Sequence, residues 1–349
     1  MAEFLAHKAP HDSDNYGQAL EKSEEIYKIE SQGLATSAAA CEHSIQSCEI
    51  DHPMRNVSAQ SEYEKDGRLR KDDVMILKGW AEKQRHLPPI SEVQLIFFLH
   101  SCYYSTELAK STIESFFTLR AQCPEFFANR DPRRAELRTH IDSVFSMCLP
   151  KKTHDGNRIL LHKMFDSDIG KFDANESAKV LDMGIIFELF RNGTSDGLVV
   201  VCDLEGITFA HMLRINFSTL RNWFTYLQDA VPIRLKAIHF LNAVGLLDSM
   251  MAVIKPIVRN ELFNSLHVHG SVETVFQYIP KENFPRDYGG QQPSLKDLHE
   301  THTQNLIHFA DYFVKAEAHI TDETKRVARP SNADGAFGTD GSFKRLEVD

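Results

Sequence analysis

Apolar runs with the character of β-strands alternate with helical stretches through the second half of this chain. Residues 157–164 (NRILLHKM) and 197–204 (GLVVVCDL) are bounded by polar turns, which is typical of strands buried on both faces. Between them, SAKVLDMGIIFELFRNG predicts a helix that ends at the Asn-Gly pair 192–193. Further strands are predicted over residues 235–243 and 266–268, and a final helix is predicted roughly from Leu295 to Glu317. This alternation predicts a largely parallel sheet with helices packed against it.

Length and composition divide the chain into four segments. Its 349 residues exceed what one core usually supports. Residues 1–68 hold few large apolar side chains, so we expect a mostly disordered acidic tail there. We predict a helical N-terminal module over residues 69–135 and the α/β domain over residues 136–320. Residues 321–349 are expected to be a flexible C-terminal tail.

Three helices with short connections are predicted in the N-terminal module. In DDVMILKGWAEKQ, Val74, Leu77 and Trp80 follow one another by a turn, behind two Asp that favour a helix N-terminus. Ser91 should cap the second helix. The third, STELAKSTIESFFTLRAQC, should end at Pro124, because proline cannot continue a helix. A small helical bundle is therefore expected before the sheet.

Composition also limits the partners and the compartment. A net charge of −10 argues against nucleic acid as the main partner, since phosphate binding needs a basic surface. No apolar run approaches the roughly 18 residues of a membrane span, and the N-terminus lacks the pattern of a signal peptide. Six scattered cysteines fit free thiols in a reducing compartment. We expect a cytoplasmic protein, and its oligomeric state stays open.

Two patterns could indicate catalysis or metal binding. Asp203 and Glu205 follow a strand and precede a helix, where they could act as acid and base or cap the helix. His267 and His269 share one face of a strand, but no third ligand is spaced to complete a metal site. The nucleophile-elbow, dinucleotide and P-loop motifs are not found in the sequence. We expect no enzyme activity, no metal and no cofactor.

Two apolar helices follow the second of the predicted strands. The pattern predicts one long helix over residues 207–230 with a broad apolar stripe, which alone is usually core. The helix predicted over residues 246–258 is apolar on more than one face and holds adjacent methionines, which suit surfaces that repack or bind variable apolar partners.

A series of short landmarks lies in and after these helices. They are Pro232, Arg234 with Lys236, Ile238-His239 with Asn242, Lys255-Pro256, His267 to Gly270, Ile279-Pro280 and Tyr288-Gly289-Gly290. In order and spacing the series resembles the CRAL-TRIO lipid-binding family. The resemblance implies a helical N-terminal module followed by a CRAL-TRIO-like α/β domain with a largely parallel sheet and helices on its faces. It also implies that both patterns above occur without catalysis or metal.

The resemblance further implies an apolar pocket under a gate, the helix predicted over residues 246–258. The residues expected to bind the ligand are Phe217, Leu220, Trp223, Tyr226, Leu227, Val231, Met250 and Ile254. Such a pocket buries most of an apolar ligand and orients it with a few polar groups.

A basic cluster beside the gate is predicted to bind phosphoinositides, and its residues are Arg234, Lys236, Lys255 and Arg259. The first three match positions that bind phosphoinositides in the family, and Arg259 lies one helical turn from Lys255. Two further positions that are basic in the family hold Glu261 and Ser265 here, so solvated surface charges are the alternative.

The sequence thus predicts cytosolic binding and intermembrane transfer of a small hydrophobic ligand, such as a tocopherol, retinoid, carotenoid or related lipid, with a phospholipid second. Release promoted by phosphoinositides and transient contact with phosphoinositide-containing membranes would accompany it. The alternative is a non-transporting scaffold module of the same fold whose pocket is filled by side chains.

Overall fold

The computed structural model describes residues 57–243 and 245–326. Before the sheet the helices are α1 (Ala59–Lys65), α2 (Lys71–Ala81), α3 (Glu92–Ser101), α4 (Thr106–Gln122), α5 (Pro124–Phe127) and α6 (Ala135–Ser143). Later helices are α7 (Ala174–Asn192), α8 (Phe209–Met212), α9 (Phe217–Asp229), α10 (Leu247–Ile254), α11 (Asn260–Phe263), α12 (Val272–Val275), α13 (Leu295–His308) and α14 (Ala310–Glu317). Short 3-10 turns cover Lys281–Asn283, Arg286–Tyr288 and Glu323–Lys325.

Five strands form one sheet in the order β1-β2-β3-β4-β5. They are β1 (Val144–Cys148), β2 (Arg158–Met164), β3 (Leu198–Asp203), β4 (Leu235–Leu241) and β5 (Leu266–His269). Strands β2 to β5 pair in parallel, and β1 pairs antiparallel with β2. The predicted largely parallel sheet is confirmed. Strand β1 was not predicted, because its residues continue directly from α6 without a polar turn.

Among the described residues before the sheet, α2, α3 and α4 are the three expected helices, and α1, α5 and α6 were not predicted. Ser91 caps α3 in a capping box with Gln94, as predicted. Helix α1 lies inside the segment 1–68, most of which we expected to be disordered; residues 1–56 lie outside the described residues. The buried carboxylate of Glu62 in α1 accepts hydrogen bonds from the backbone and side chain of Thr194 after α7. Those bonds fix α1 to the α/β domain.

A buried ionic network joins the helical module to the α/β domain. Asp182 of α7 accepts hydrogen bonds from Arg120 of α4 at 2.9 Å and from Arg130 at 2.5 Å. Burial raises the pKa of Asp182, but the two guanidinium groups outweigh it and hold that pKa below its usual value. Removing one partner of such a network is strongly destabilising, because a buried charge is left uncompensated.

Two predicted helices are broken in the structure. The long helix expected over residues 207–230 is split into α8 and α9, because the Asn216 side chain accepts from the backbone N–H of Ser218 and starts a new helix. The final helix, expected from Leu295 to Glu317, divides at Phe309. The gate helix is shorter than the predicted span and ends at Ile254.

The start of the predicted flexible C-terminal tail is packed against the helical module. Arg326 donates a 2.8 Å hydrogen bond to Glu114 and another, of 2.9 Å, to Thr118 of α4. The backbone N–H of Asp322 donates to the carbonyl of His86 at 2.8 Å. Residues 327–349 lie outside the described residues.

Candidate functional site

A cavity of about 500 Å³ lies between one face of the sheet and helices α7, α9 and α10. Side chains two apart on a strand point to the same face, so the sheet presents alternate residues. From the sheet these are His162, Met164, Val200, Cys202, Ile238 and Phe240. Helix α7 adds Ala174, Ser177, Ala178, Leu181 and Ile185. The wall is therefore mainly apolar.

Six of the eight predicted pocket residues line this cavity. Helix α9 supplies Phe217, Leu220, Trp223 and Leu227, and helix α10 supplies Met250 and Ile254. Spacings of three and four keep each set on one helical face. Their binding of a ligand stays a prediction, but the structure brings them together.

Tyr226 and Val231 are not part of the cavity wall, contrary to the prediction. Tyr226 lies on the neighbouring face of α9, where its hydroxyl donates to Asp182 at 2.6 Å and accepts from Arg120 at 3.0 Å. Burial raises its pKa well above the usual value. Val231 is buried beyond the end of α9, outside the wall. The apolar stripe was too broad to separate these two faces.

The pocket residues predicted from the sequence do not include the cavity-wall residues on α7 and in the loops. Phe126 comes from the helical module, and Phe172, Ile207 and Ile215 come from connections. The sequence holds one signal for the part of the wall on α7. The small residues Ala174 and Ala178 lie one turn apart on this helix, where larger side chains would occupy the cavity.

The cavity opens beside exposed apolar side chains. Phe209, Leu213 and Phe217 line it and yet are 54%, 71% and 52% exposed. On the opposite helix, Met250 and Ile254 are buried against the cavity. Apolar side chains exposed together are unusual on a monomer and mark surfaces that contact apolar partners or membranes.

The carboxylate at the end of β3 is a structural hub. Asp203 accepts hydrogen bonds of 2.7 Å from Lys163, Asn242 and Tyr288, and one of 3.0 Å from the backbone N–H of Glu205. Burial raises its pKa, but these donors outweigh burial and hold the pKa below its usual value. An ionised and fully bonded Asp203 fixes the turn after β3 and the start of the segment that leads to α10.

The sequence pattern of the CRAL/TRIO domain matches residues 143–290, whose described part holds the five strands of the sheet and the six helices α7 to α12. Residues 143–290 form a CRAL/TRIO domain. The resemblance predicted from the landmarks is confirmed, and the family is one of lipid-binding and lipid-transfer proteins. The pattern of a Pinta-like UBA domain matches residues 66–137, within the helical part of the chain.

Two relatives match more than half of this chain. Human alpha-tocopherol transfer protein-like is 24% identical over 265 residues, covering 74% of this chain and 75% of that protein. Clavesin-1 of Xenopus laevis is 22% identical over 230 residues, covering 65% of this chain and 63% of that protein. The crystal structure of Sfh5 is 12% identical with a TM-score of 0.46, covering 74% of this chain and 96% of that one.

In the CRAL/TRIO domain the four predicted basic residues differ in their surroundings. Arg234 is buried, donates through Nε to the carbonyl of His100 at 2.8 Å, and lies 4.3 Å from the ring of Tyr103. Lys236 is exposed and donates to the Tyr103 hydroxyl at 2.9 Å. Arg234, as placed, is therefore covered and not open to a headgroup.

The two basic residues beside the gate are both exposed. Lys255 directly follows α10. Arg259 forms a 2.5 Å ion pair with Asp229 at the end of α9 and donates to the carbonyl of Gln228 at 3.0 Å. Phosphoinositide binding by these residues stays a prediction. Arg259 is already paired with Asp229, whereas Lys236 and Lys255 are exposed and form no ion pair within residues 57–243 and 245–326.

The histidines of the CRAL/TRIO sheet edge bond to one another. Nδ1 of His239 and Nε2 of His269 are 2.8 Å apart, and the ring of His267 stacks on His239 at 4.7 Å. Burial lowers the pKa of His239 to about 3. Within residues 57–243 and 245–326, no group of three His, Cys, Asp or Glu side chains could hold a metal ion.

Proposed function

We propose that this protein binds one hydrophobic molecule in the cavity of its CRAL/TRIO domain and carries it between membranes. The observation that carries the proposal is an apolar cavity of about 500 Å³ in a domain of the lipid-transfer family. That volume lies within the range of small-molecule sites, roughly 300–1,000 Å³. Binding and transfer then need no catalytic group.

The ligand class is a tocopherol, retinoid, carotenoid or related lipid. Covering several hundred Å² of apolar surface favours binding by roughly 10 kcal/mol before ordering costs are subtracted. A single-chain or isoprenoid lipid suits one cavity of this size better than a two-chain phospholipid, which is the second choice. The name of the human relative, alpha-tocopherol transfer protein-like, is consistent with this class.

Delivery is proposed to occur during transient contact with a membrane, in an otherwise cytoplasmic protein. The exposed side chains of Phe209, Leu213 and Phe217 lie where the cavity opens. Exposed apolar side chains of this kind could insert into the apolar part of a lipid membrane. Among the described residues no helix is both long and apolar enough to cross a bilayer. The proposed contact is therefore peripheral.

Phosphoinositides are proposed to promote release. The exposed ammonium groups of Lys236 and Lys255 support this step, because anionic headgroups attract basic residues near a membrane surface by about 1 kcal/mol each. Glu261 and the pairing of Arg259 with Asp229 reduce the local positive charge.

The alternative, a scaffold module with a filled pocket, has less support. Side chains do not fill the cavity, and the small Ala174 and Ala178 form part of its wall. A module that no longer carried cargo would gain stability by filling such a space, since unfilled apolar volume is costly.

Native mass spectrometry of the full chain tests the proposal. We expect a co-purified lipid, or uptake of α-tocopherol from vesicles, by the wild-type protein. Ala178→Phe should fill the cavity and abolish uptake, while Ala135→Phe at an exposed position should not. A bare polypeptide mass after exposure to vesicles would instead favour the scaffold.

A further inference from the structure

Most buried polar groups in the cavity wall already have protein partners. Asp203 accepts from three side chains, and His211 forms hydrogen bonds through both ring nitrogens. The Ser177 hydroxyl lies 3.3 Å from Nε2 of His140. His162 is different, because its Nδ1 is shielded and has no hydrogen-bond partner among the described residues.

His162 belongs to the sheet face that forms the cavity. It lies on β2, in register with Ser146 of β1 and Cys202 of β3. Its ring lines the cavity, and with Nδ1 shielded, Nε2 is the ring nitrogen left open to the cavity. Burial lowers the pKa of His162 to about 4, so the imidazole is neutral near pH 7.

A neutral imidazole carries its proton on one nitrogen, and its surroundings decide which one. A buried N–H without a partner is rarer in proteins than a buried acceptor without one. The proton therefore belongs on Nε2, where it can reach a ligand, and Nδ1 keeps only its lone pair. This tautomer presents one hydrogen-bond donor to an otherwise largely apolar wall.

We infer that His162 is a specificity-determining residue, which donates a hydrogen bond from Nε2 to an acceptor oxygen of the bound hydrophobic molecule. The inference rests on the proposed function and narrows its ligand class. The ligand is neutral and carries a carbonyl, ester, ether or hydroxyl oxygen at the end that contacts the sheet. Its hydrocarbon part extends toward Trp223 and Leu227 on α9.

A carboxylate ligand fits this wall less well. Among the described residues that line the cavity there is no Lys or Arg, and the nearby Lys163 is already paired with the carboxylates of Asp203 and Glu205. A negative ligand would meet one uncharged donor and no cation. A neutral acceptor matches a single uncharged donor without leaving a buried charge unpaired.

Competition between two matched probes tests the inference. Phytanyl methyl ether has one acceptor oxygen and no donor, while phytane has the same saturated branched chain without oxygen. Delipidated full-length protein is exposed to an equimolar mixture, and native mass spectrometry gives the ratio of the two complexes. We expect the wild type to prefer the ether by about 3- to 10-fold, the effect of one net hydrogen bond.

Variants assign that preference to His162. His162→Phe should bind both probes equally, whereas His162→Gln, which keeps an N–H donor, should retain the preference. Thr219→Val removes a hydroxyl from the helical wall and should leave the ratio unchanged. Equal uptake of both probes by the wild type, or an unchanged ratio in His162→Phe, overturns the inference but leaves the proposed function standing. Uptake of neither probe by the wild type contradicts both.

A second measurement needs no variant. Nitrogen-15 NMR of the wild-type histidine rings distinguishes the two neutral tautomers. We expect His162 to carry its proton on Nε2 at pH 7. A proton on Nδ1 would leave no donor facing the cavity and would overturn the inference.

Discussion

Tyr226 donates a 2.6 Å hydrogen bond to Asp182, on a face of α9 next to the one that lines the cavity. One helix thus serves two regions of the molecule. Trp223 and Leu227 face the cavity, while Tyr226 closes the buried network of Arg120 and Asp182. Stability and ligand binding should therefore respond to different residues of the same helix.

Tyr226→Phe should lower the free energy of unfolding and leave ligand retention intact. Asp182 loses one hydrogen bond to a buried charge, which costs about 1–3 kcal/mol. Urea unfolding measures the loss, and native mass spectrometry measures the bound lipid. If the Tyr226→Phe protein is folded but retains no lipid, Tyr226 is part of the binding site.

Leu227→Asp, in contrast, should strongly reduce retention of the lipid. An unpaired carboxylate in an apolar cavity costs several kcal/mol to desolvate, so retention should fall by at least about 100-fold. Circular dichroism must show that the variant is folded, and Tyr226→Phe on the neighbouring face is its matched control. A folded Leu227→Asp protein that keeps its lipid would remove Leu227 from the site.

The sheet could be predicted from sequence because its parallel strands are apolar runs with polar turns on both sides. Strand β1 and the break at Asn216 could not, since neither interrupts the local hydrophobic pattern. Helical periodicity predicted six residues that line the cavity, but it did not distinguish the side of α9 that faces the cavity from the side that holds Tyr226. The contact in which Tyr103 covers Arg234 could not be predicted from the sequence either, because the two residues are 131 positions apart and meet only in the folded chain.

Helix α10 is expected to behave as a gate. Met250 and Ile254 are buried against the cavity, so opening would expose them to water, and a bilayer would reduce that cost. Hydrogen exchange of Leu247–Ile254 should become faster in the presence of vesicles, while exchange in α7, which also lines the cavity, should be equal in both conditions. Equal protection of α10 with and without vesicles would contradict gating.

The exposed lysines should affect delivery to anionic membranes. Lys236→Gln with Lys255→Gln removes two charges worth about 1 kcal/mol each, so transfer to phosphoinositide vesicles should slow by roughly 30-fold at low salt. Transfer to neutral vesicles should not change, and salt should reduce the difference. The control replaces exposed Lys71 and Lys83 of the helical module.

An equal rate for the double variant on both vesicle types would make Lys236 and Lys255 ordinary surface charges. Arg234→Gln should act differently from either lysine. Its guanidinium is buried between Tyr103 and the carbonyl of His100, so the substitution should mainly lower the free energy of unfolding.

Stability should fall in mild acid, partly because of His302 on α13. The ring is buried against Phe187, with Nε2 unpartnered among the described residues, and burial lowers its pKa to about 3. In the unfolded chain the pKa returns to about 6.5, so below pH 6.5 the unfolded state binds more protons than the folded state. The stability contributed by the neutral ring is therefore present above pH 6.5 and is lost as the pH falls toward 3.

His302→Phe should remove this part of the acid sensitivity. By linkage, one such group costs up to about 2 kcal/mol at pH 5 relative to pH 7.5. Urea unfolding at the two pH values should show a smaller loss for His302→Phe than for the wild type. Phe187→Leu disturbs the same packing without removing a titrating group, so its destabilisation should be equal at both pH values. If His302→Phe loses as much stability in acid as the wild type does, another group controls the acid response.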